Sequence, residues 1–155
     1  MEISIILLCL LFCAFFSGME IAFISSNKIY LEIEKKQNNF LSQTLTKLTE
    51  KPSKFIAAML IGNNIALVVY GFFMGDLLMS WITTLSYHFS DLSNLMLQTV
   101  ISTFIVLITA EFLPKVFFQI YDNGFIKFFA VPAYFFYQLF YFISTFILWI
   151  SDFIL

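Results

Sequence analysis

The chain has 155 residues, of which 61% are hydrophobic and 12% charged, with mean hydropathy +0.91 and a formal net charge of −2. Soluble domains run near about 45–50% apolar and about 25% charged, so this balance excludes a soluble fold and fits an integral membrane protein. There is no arginine, and the lysines gather in one loop, which excludes a nucleic-acid surface.

Residues 3–27 form a first apolar stretch. At about 1.5 Å per residue it is long enough to cross about 30 Å of hydrocarbon. Glu2 is the only charge ahead of it and no lysine precedes the apolar run, so it reads as a retained helix and not as a cleaved signal. Cys9 and Cys13, four apart within it, read as free thiols on one helix face. The segment NKIYLEIEKKQNNFLSQTLTKLTEKPSK (27–54) then carries six of the eight lysines, which assigns the 28–53 loop to the cytoplasm and the N-terminus to the outside. Ser25, Ser26 and Asn27 read as the residues that end the first helix at the interface. In the loop Ile29, Leu31 and Ile33 alternate with polar residues, and Leu41, Leu45 and Leu48 predict a short amphipathic helix beside the membrane.

A second span is predicted at 54–79 and a third at 95–119, joined by a loop at about 80–94 that holds His88 and Asp91 but no lysine. His88 reads as a solvated loop residue. Residues 125–155 are apolar nearly all round, yet Pro132 interrupts them and aromatics crowd them as at an interface, so a fourth span and interfacial helices fit equally. No repeat, linker or low-complexity segment divides the chain. It reads as one all-α membrane domain, 1–155, with three transmembrane helices plus juxtamembrane helices.

Each predicted span carries a small polar cluster: SGMEIAFISSNK (17–28), IGNN (61–64) and ITAEFLPK (108–115). A charged residue at mid-span costs about 2.5–3.5 kcal/mol on insertion scales, so such clusters persist where they face one another or water. Counted from Lys28, Lys54 and Asp122, Glu20 lies eight residues into its span, Asn63 nine and Glu111 eleven. That sets all three roughly 12–16 Å from one face, in a single layer. In the first span Ser17 and Glu20 share a stripe, and Gly18 admits a close neighbour. In the second, Asn63 and Asn64 point about 100° apart, so both face one partner only if the helix is distorted at Gly62 or both surfaces are enclosed. In the third, Glu111 and Lys115 have the spacing of an intrahelical ion pair, and Pro114 between them withholds the donor that the Ala110 carbonyl would otherwise receive. Neutral oxygens with a carboxylate suit a hard cation; interhelical hydrogen bonding and a self-neutralised pair are the plainer readings of the same residues.

The runs FSGMEIAFISSNKIYLE (16–32), PSKFIAAMLIGNNIALVVYG (52–71) and ITAEFLPKVFF (108–118) resemble, in order and spacing, the signature stretches of the DUF21 transmembrane domain of the CNNM/CorC magnesium transporters, historically labelled hemolysin-related. The resemblance covers roughly residues 5–150. It implies a homodimer of three-span protomers in a bacterial inner membrane, juxtamembrane helices over 125–155 in place of a fourth span, and export of Mg²⁺ coupled to Na⁺ influx. It also implies an ion site whose first part is Ser17, Gly18 and Glu20, whose second is Gly62, Asn63 and Asn64, and whose third is Glu111, Pro114 and Lys115. Met19 departs from the pattern, which commonly has a small polar residue there.

Members of that family usually continue into cytoplasmic CBS modules that bind adenine nucleotide with Mg²⁺, whereas this sequence ends at Leu155. It is expected to be a fragment, or a membrane-only member whose regulation is lost or supplied by a separate cytoplasmic chain, and no nucleotide site is assigned to it. The alternative to transport is a membrane anchor or assembly subunit in which the polar layer only fixes packing. No Ser/His, Asp/Asp or HExxH arrangement occurs in the spans, so an enzyme is not expected.

Overall fold

A computed structural model describes residues 2–85 and 90–154, and His88 lies outside the described residues. The described residues form helices α1 (Glu2–Ser25), α2 (Lys28–Lys35), α3 (Phe40–Glu50), α4 (Pro52–Leu85), α5 (Asp91–Val106), α6 (Leu113–Ile120), α7 (Asp122–Phe128), α8 (Ala130–Leu139) and α9 (Tyr141–Ile154). Between α5 and α6 the chain widens into a π-helical segment, Leu107–Phe112.

Three stretches are long and apolar enough to cross a membrane: Glu2–Ser25, Pro52–Thr84 and Asp91–Ile120. They have no strong apolar stripe, because a helix with lipid on one side and protein on the other is apolar on both. Helices α8 and α9 pass the same test only as a pair, bent by 67° at Phe140. The described residues thus form an all-helical membrane domain with three membrane-length helices, a bent α8–α9 pair that reaches that length only jointly, and shorter helices packed at one end.

The lysine-rich loop is two helices, and its asparagines explain where they start. Asn27 has extended backbone, and its Oδ1 accepts from the N–H groups of Ile29 (2.9 Å) and Tyr30 (3.4 Å), two donors that the first turn of α2 would otherwise leave unpaired. Its own N–H donates to Asn123 Oδ1 at 3.1 Å, which fastens the α1–α2 corner to α7. Asn39 caps α3 in the same way through the Ser42 N–H (2.8 Å). Asn38 between them has φ 52°, a left-handed conformation that asparagine tolerates. Leu31, Leu45 and Leu48 are buried whereas Ile29 and Ile33 are exposed, so the alternation in 29–33 is one side of a short helix. Pro52 then opens α4, a position where a missing N–H costs nothing.

Two apolar cores hold the bundle. One joins α1, α2, α3, α4, α7 and α8 through residues such as Phe16, Met19, Leu45, Phe55, Met59 and Ala133. The other joins α1, α4, α5 and the π segment through Cys9, Cys13, Ala66, Tyr70, Val106 and Ala110. Cys9 and Cys13 are free and buried. The third span changes partner along its length: α5 packs on α4, and the π segment and α6 pack on α1.

Charge secures the collar of short helices. Lys54, buried at the start of α4, lies 3.7 Å from the centroid of the Tyr141 ring, a cation–π contact that ties α9 to α4. Lys127 donates to Glu34 Oε1 at 2.9 Å, joining α7 to α2, with the Glu34 side chain only 9% exposed. That hydrogen bond holds the Lys127 ammonium above its ordinary pKa. A raised lysine pKa adds stability that is complete below the unfolded value of about 10.4 and is lost as pH rises through the folded one. Lys127→Glu is accordingly expected to lower the unfolding temperature at neutral pH, and the swap Glu34→Lys with Lys127→Glu to recover much of the loss. Equal temperatures for the single and double variants in detergent would show that the pair contributes nothing.

Candidate functional site

Between the two apolar cores lies a thin polar layer. Ser17 on α1 is fully buried and Asn63 on α4 is 8% exposed, yet Ser17 Oγ and Asn63 Oδ1 have no hydrogen-bond partner. Orphaned polar atoms at such burial are uncommon and call for a reason. Cys13, one turn from Ser17, approaches the Asn63 carbonyl through Sγ at 4.0 Å.

Close packing brings these helices together at their glycines. A Cβ on Gly18 would stand 2.7 Å from the ring of Phe118 on α6, and one on Gly62 would stand 2.6 Å from the ring of Phe16 on α1. Gly62 is therefore used for helix contact. Of the two alternatives, distortion at Gly62 does not occur, since α4 runs as helix through residues 61–64. Its two asparagines consequently diverge: Asn63 is buried and Asn64 is exposed. Only one of the two amides reaches the layer within a protomer.

The distortion lies in the third span instead. Its π segment closes with the Leu113 N–H donating to the Ile108 carbonyl, five residues back, just before Pro114. Proline has no N–H, and its ring collides with the carbonyl four residues earlier, so a wider turn on its N-terminal side relieves the clash. The turn presents Glu111, which is half-buried and within Coulombic reach of Cys13 and Glu20 on α1. Pro114 and Ala110 are buried against the bundle. The Glu111–Lys115 ion pair that the spacing allows is not made: among the described residues the salt bridges are Lys35–Glu32 and Lys127–Glu34. The wide turn opens the four-residue spacing that such a pair needs. Lys115 lies within Coulombic reach of Glu20 across the helix interface.

The single layer inferred from residue counting also needs correction. Contacts of Phe16 with Gly62, and of Phe23 with Phe55 at 4.6 Å between centroids, fix the antiparallel register of α1 and α4. In that register Asn63 stands opposite Phe15 and Phe16, and Glu20 lies about 7 Å nearer the collar. Lys28, used as the end of the first span, already belongs to α2. Ser17 and Asn63 thus define the layer, with Glu111 on the adjoining span and Glu20 and Lys115 beneath it. Met19, which departs from the family pattern, is fully buried in the collar-side core.

Chemically this is a hydroxyl, one amide and a nearby carboxylate, all oxygen donors, and no group of three His, Cys, Asp or Glu side chains gathers among the described residues. Hard cations accept such donors, and neutral oxygens hold them weakly enough for release.

A buried polar layer inside a bundle of three membrane-length helices marks an integral membrane domain. The model of the Cyclin M transmembrane N-terminal domain matches residues 4–155, and the chain belongs to this CNNM family. It is similar to the "UPF0053 inner membrane protein YfjD" of Escherichia coli, with 31% identity over 111 residues that cover 71% of this chain and 24% of that protein. It is also similar to a "UPF0053 protein" of Haemophilus influenzae, at 28% identity over 111 residues, 72% of this chain and 24% of the relative. The chain thus spans about a quarter of the length of the curated relatives it matches.

Proposed function

We propose that this domain passes Mg²⁺ across a bacterial inner membrane as its substrate, exporting it against coupled Na⁺ influx. The observation that carries this reading is the pair of sealed, unpartnered oxygens, Ser17 Oγ and Asn63 Oδ1, on the two helices that Gly62 draws together. Magnesium wants octahedral oxygen ligands and dehydrates reluctantly, so a site of few protein oxygens that leaves several waters in place suits its passage. Glu111 supplies the negative charge, Glu20 and Lys115 set the field beneath it, and Pro114 holds the turn that aims Glu111. The exposed face of Asn64 supports a homodimer, since a second copy against α4 encloses the other amide too. The lysine-rich helices α2 and α3 face the cytoplasm by the positive-inside rule, which puts the N-terminus outside. Regulation is assigned to segments or chains other than these residues.

Thermal unfolding of the detergent-purified protein against Mg²⁺, with Ca²⁺ and K⁺ as controls, tests the reading. Ligand at a hundredfold over its dissociation constant stabilises the native state by about 2.7 kcal/mol. A Mg²⁺-selective rise that Asn63→Ala removes, without lowering the midpoint in the absence of Mg²⁺ by a similar amount, is the expected result. A well-folded protein with no Mg²⁺ response would refute transport through this layer and leave the anchoring role, in which the polar residues only fix packing.

A further inference from the structure

A cleft of about 350 Å³ opens at the collar, where α1 ends and α4 begins. Its wall is apolar: Phe23 and Ile24 come from the last turn of α1, Pro52 and Ile56 from the start of α4, and Leu31 from α2. Its rim is charged. Lys28, Glu32 and Lys35 share one side of α2 with Leu31, at helical spacings of three and four residues. Ser26 and Thr49 complete the lining, but their hydroxyls donate to the carbonyls of Phe23 (2.9 Å) and Leu45 (2.8 Å) on their own helices. The lysine ammonium groups are therefore the side-chain donors that the cleft can offer a ligand.

Two lysines stand here against one carboxylate, so the cleft favours an anion. Lys35 donates to Glu32 Oε1 at 2.6 Å, with the Glu32 side chain 63% exposed, and Lys28 makes no salt bridge among the described residues. An ion pair this exposed holds its partners weakly, which leaves Lys35 able to turn to another anion. A free inorganic anion would use the rim and leave the apolar wall in water. The volume is that of a site for an organic molecule, within the range of about 300–1,000 Å³. Depth selects the kind of molecule: Ile24, 58% exposed, and Ile56 belong to membrane-length helices, whereas the lysines belong to the short helix just beyond them. Apolar wall within the span and cationic rim outside it match a ligand with a hydrocarbon chain below and a phosphate above.

We propose that this cleft binds one anionic phospholipid of the leaflet beside the lysine-rich helices, its phosphate between Lys28 and Lys35 and an acyl chain along Phe23, Ile24 and Ile56. The bound lipid ties α2 to the ends of two spans. The proposal is independent of the transport reading, since none of these residues belongs to the Ser17–Asn63 layer.

Lipid titration of the delipidated, detergent-purified protein tests it, read by native mass spectrometry for bound lipid and by the unfolding midpoint. Phosphatidylglycerol is the probe, phosphatidylcholine with the same chains lacks the net charge, and glycerol 3-phosphate supplies the phosphate without chains. Phosphatidylglycerol is expected to bind at least tenfold tighter than phosphatidylcholine, and glycerol 3-phosphate to leave the midpoint unchanged. The double variant Lys28→Gln with Lys35→Gln should lose that preference, and Glu32→Gln should strengthen it severalfold by releasing Lys35. Lys36→Gln, at the end of α2 and outside the cleft, controls for diffuse surface charge. Equal binding of the two lipids, an equal loss in Lys36→Gln, or a response to glycerol 3-phosphate that matches phosphatidylglycerol overturns the proposal, the last by showing a site for free phosphate. Lys28 is exposed, so Lys28→Gln alone decides the matter if the double variant does not fold.

Discussion

Gly62→Leu is expected to cost the protein its assembled bundle, whereas Gly71→Leu on the same helix, which meets no neighbour within the protomer, is expected to leave the bundle itself folded. A single added carbon at residue 62 falls 2.6–2.9 Å from three atoms of the Phe16 ring. Phe15, Phe136, Phe12 and Phe140 lie around that ring with centroids 4.9–6.2 Å away, so moving it disturbs an aromatic cluster. Overpacking of this kind costs about 1–3 kcal/mol for modest additions and more for a branched side chain, a large part of the margin by which small domains are stable. Gly71 has no neighbour within 4 Å of the same construction and serves as control. Size-exclusion profiles and unfolding midpoints in detergent read the difference. Gly62→Ala should fall between wild type and leucine. Comparable behaviour of the residue 62 and residue 71 leucine variants would mean that the α1–α4 contact is looser than described.

The second large effect concerns charge at the layer. Glu111→Gln keeps the shape of the side chain and removes its charge, and it is expected to weaken Mg²⁺ binding at least tenfold, equivalent to about 1.4 kcal/mol. Two unit charges about 4 Å apart attract by about 4 kcal/mol at an effective dielectric constant of 20, and a divalent ion doubles the force, so tenfold is a conservative floor. Lys115→Met should act in the opposite sense, because it takes away a positive charge within reach of the same carboxylate environment. Opposite shifts of the Mg²⁺ midpoint in the two variants separate an electrostatic role from a packing one. If both variants weaken the Mg²⁺ response alike, Glu111 acts through fold and not through charge.

Much of this architecture was legible in the sequence, for a physical reason. Lipid enforces long apolar helices and penalises any polar residue within them, so three membrane-length helices are legible from composition and length. In lysine-rich 28–53 only one of the two helices was readable: α2 is eight residues long, and Ile29, Leu31 and Ile33 alternate with polar residues as a strand would. What counting residues missed depends on partners. Whether Asn63 or Asn64 faces inward is decided by where Phe16 seats on Gly62, and the offset of Glu20 by where α1 ends.

The π segment, by contrast, had left a trace. Buried positions Ser102, Val106, Ala110 and Pro114 repeat at strict intervals of four. In a regular α-helix, four residues overshoot one turn by about 40°, so such a row would wander around the helix unless a wider turn took up the excess. That interval just ahead of a proline was the available signal, obscured because Glu111 and Lys115 shared the same spacing and suggested an ion pair.

Helix α4 is 34 residues long, about 51 Å from end to end against about 30 Å of hydrocarbon. Its tight crossing with α1 at Gly62 is not central: about 15 Å of rod lies on the collar side and about 35 Å on the other. Such a rod is an unequal lever with its fulcrum beside Asn63. A rocking of ten degrees, roughly what a hinge or shear motion entails, moves the collar end by about 3 Å and the far end by about 6 Å. The far arm carries the face that meets Asn94 and Gln98, and the short arm is clamped to α9 through Lys54 and Tyr141. Displacement at the fulcrum stays small, so the ends can be driven far while the polar layer is scarcely disturbed.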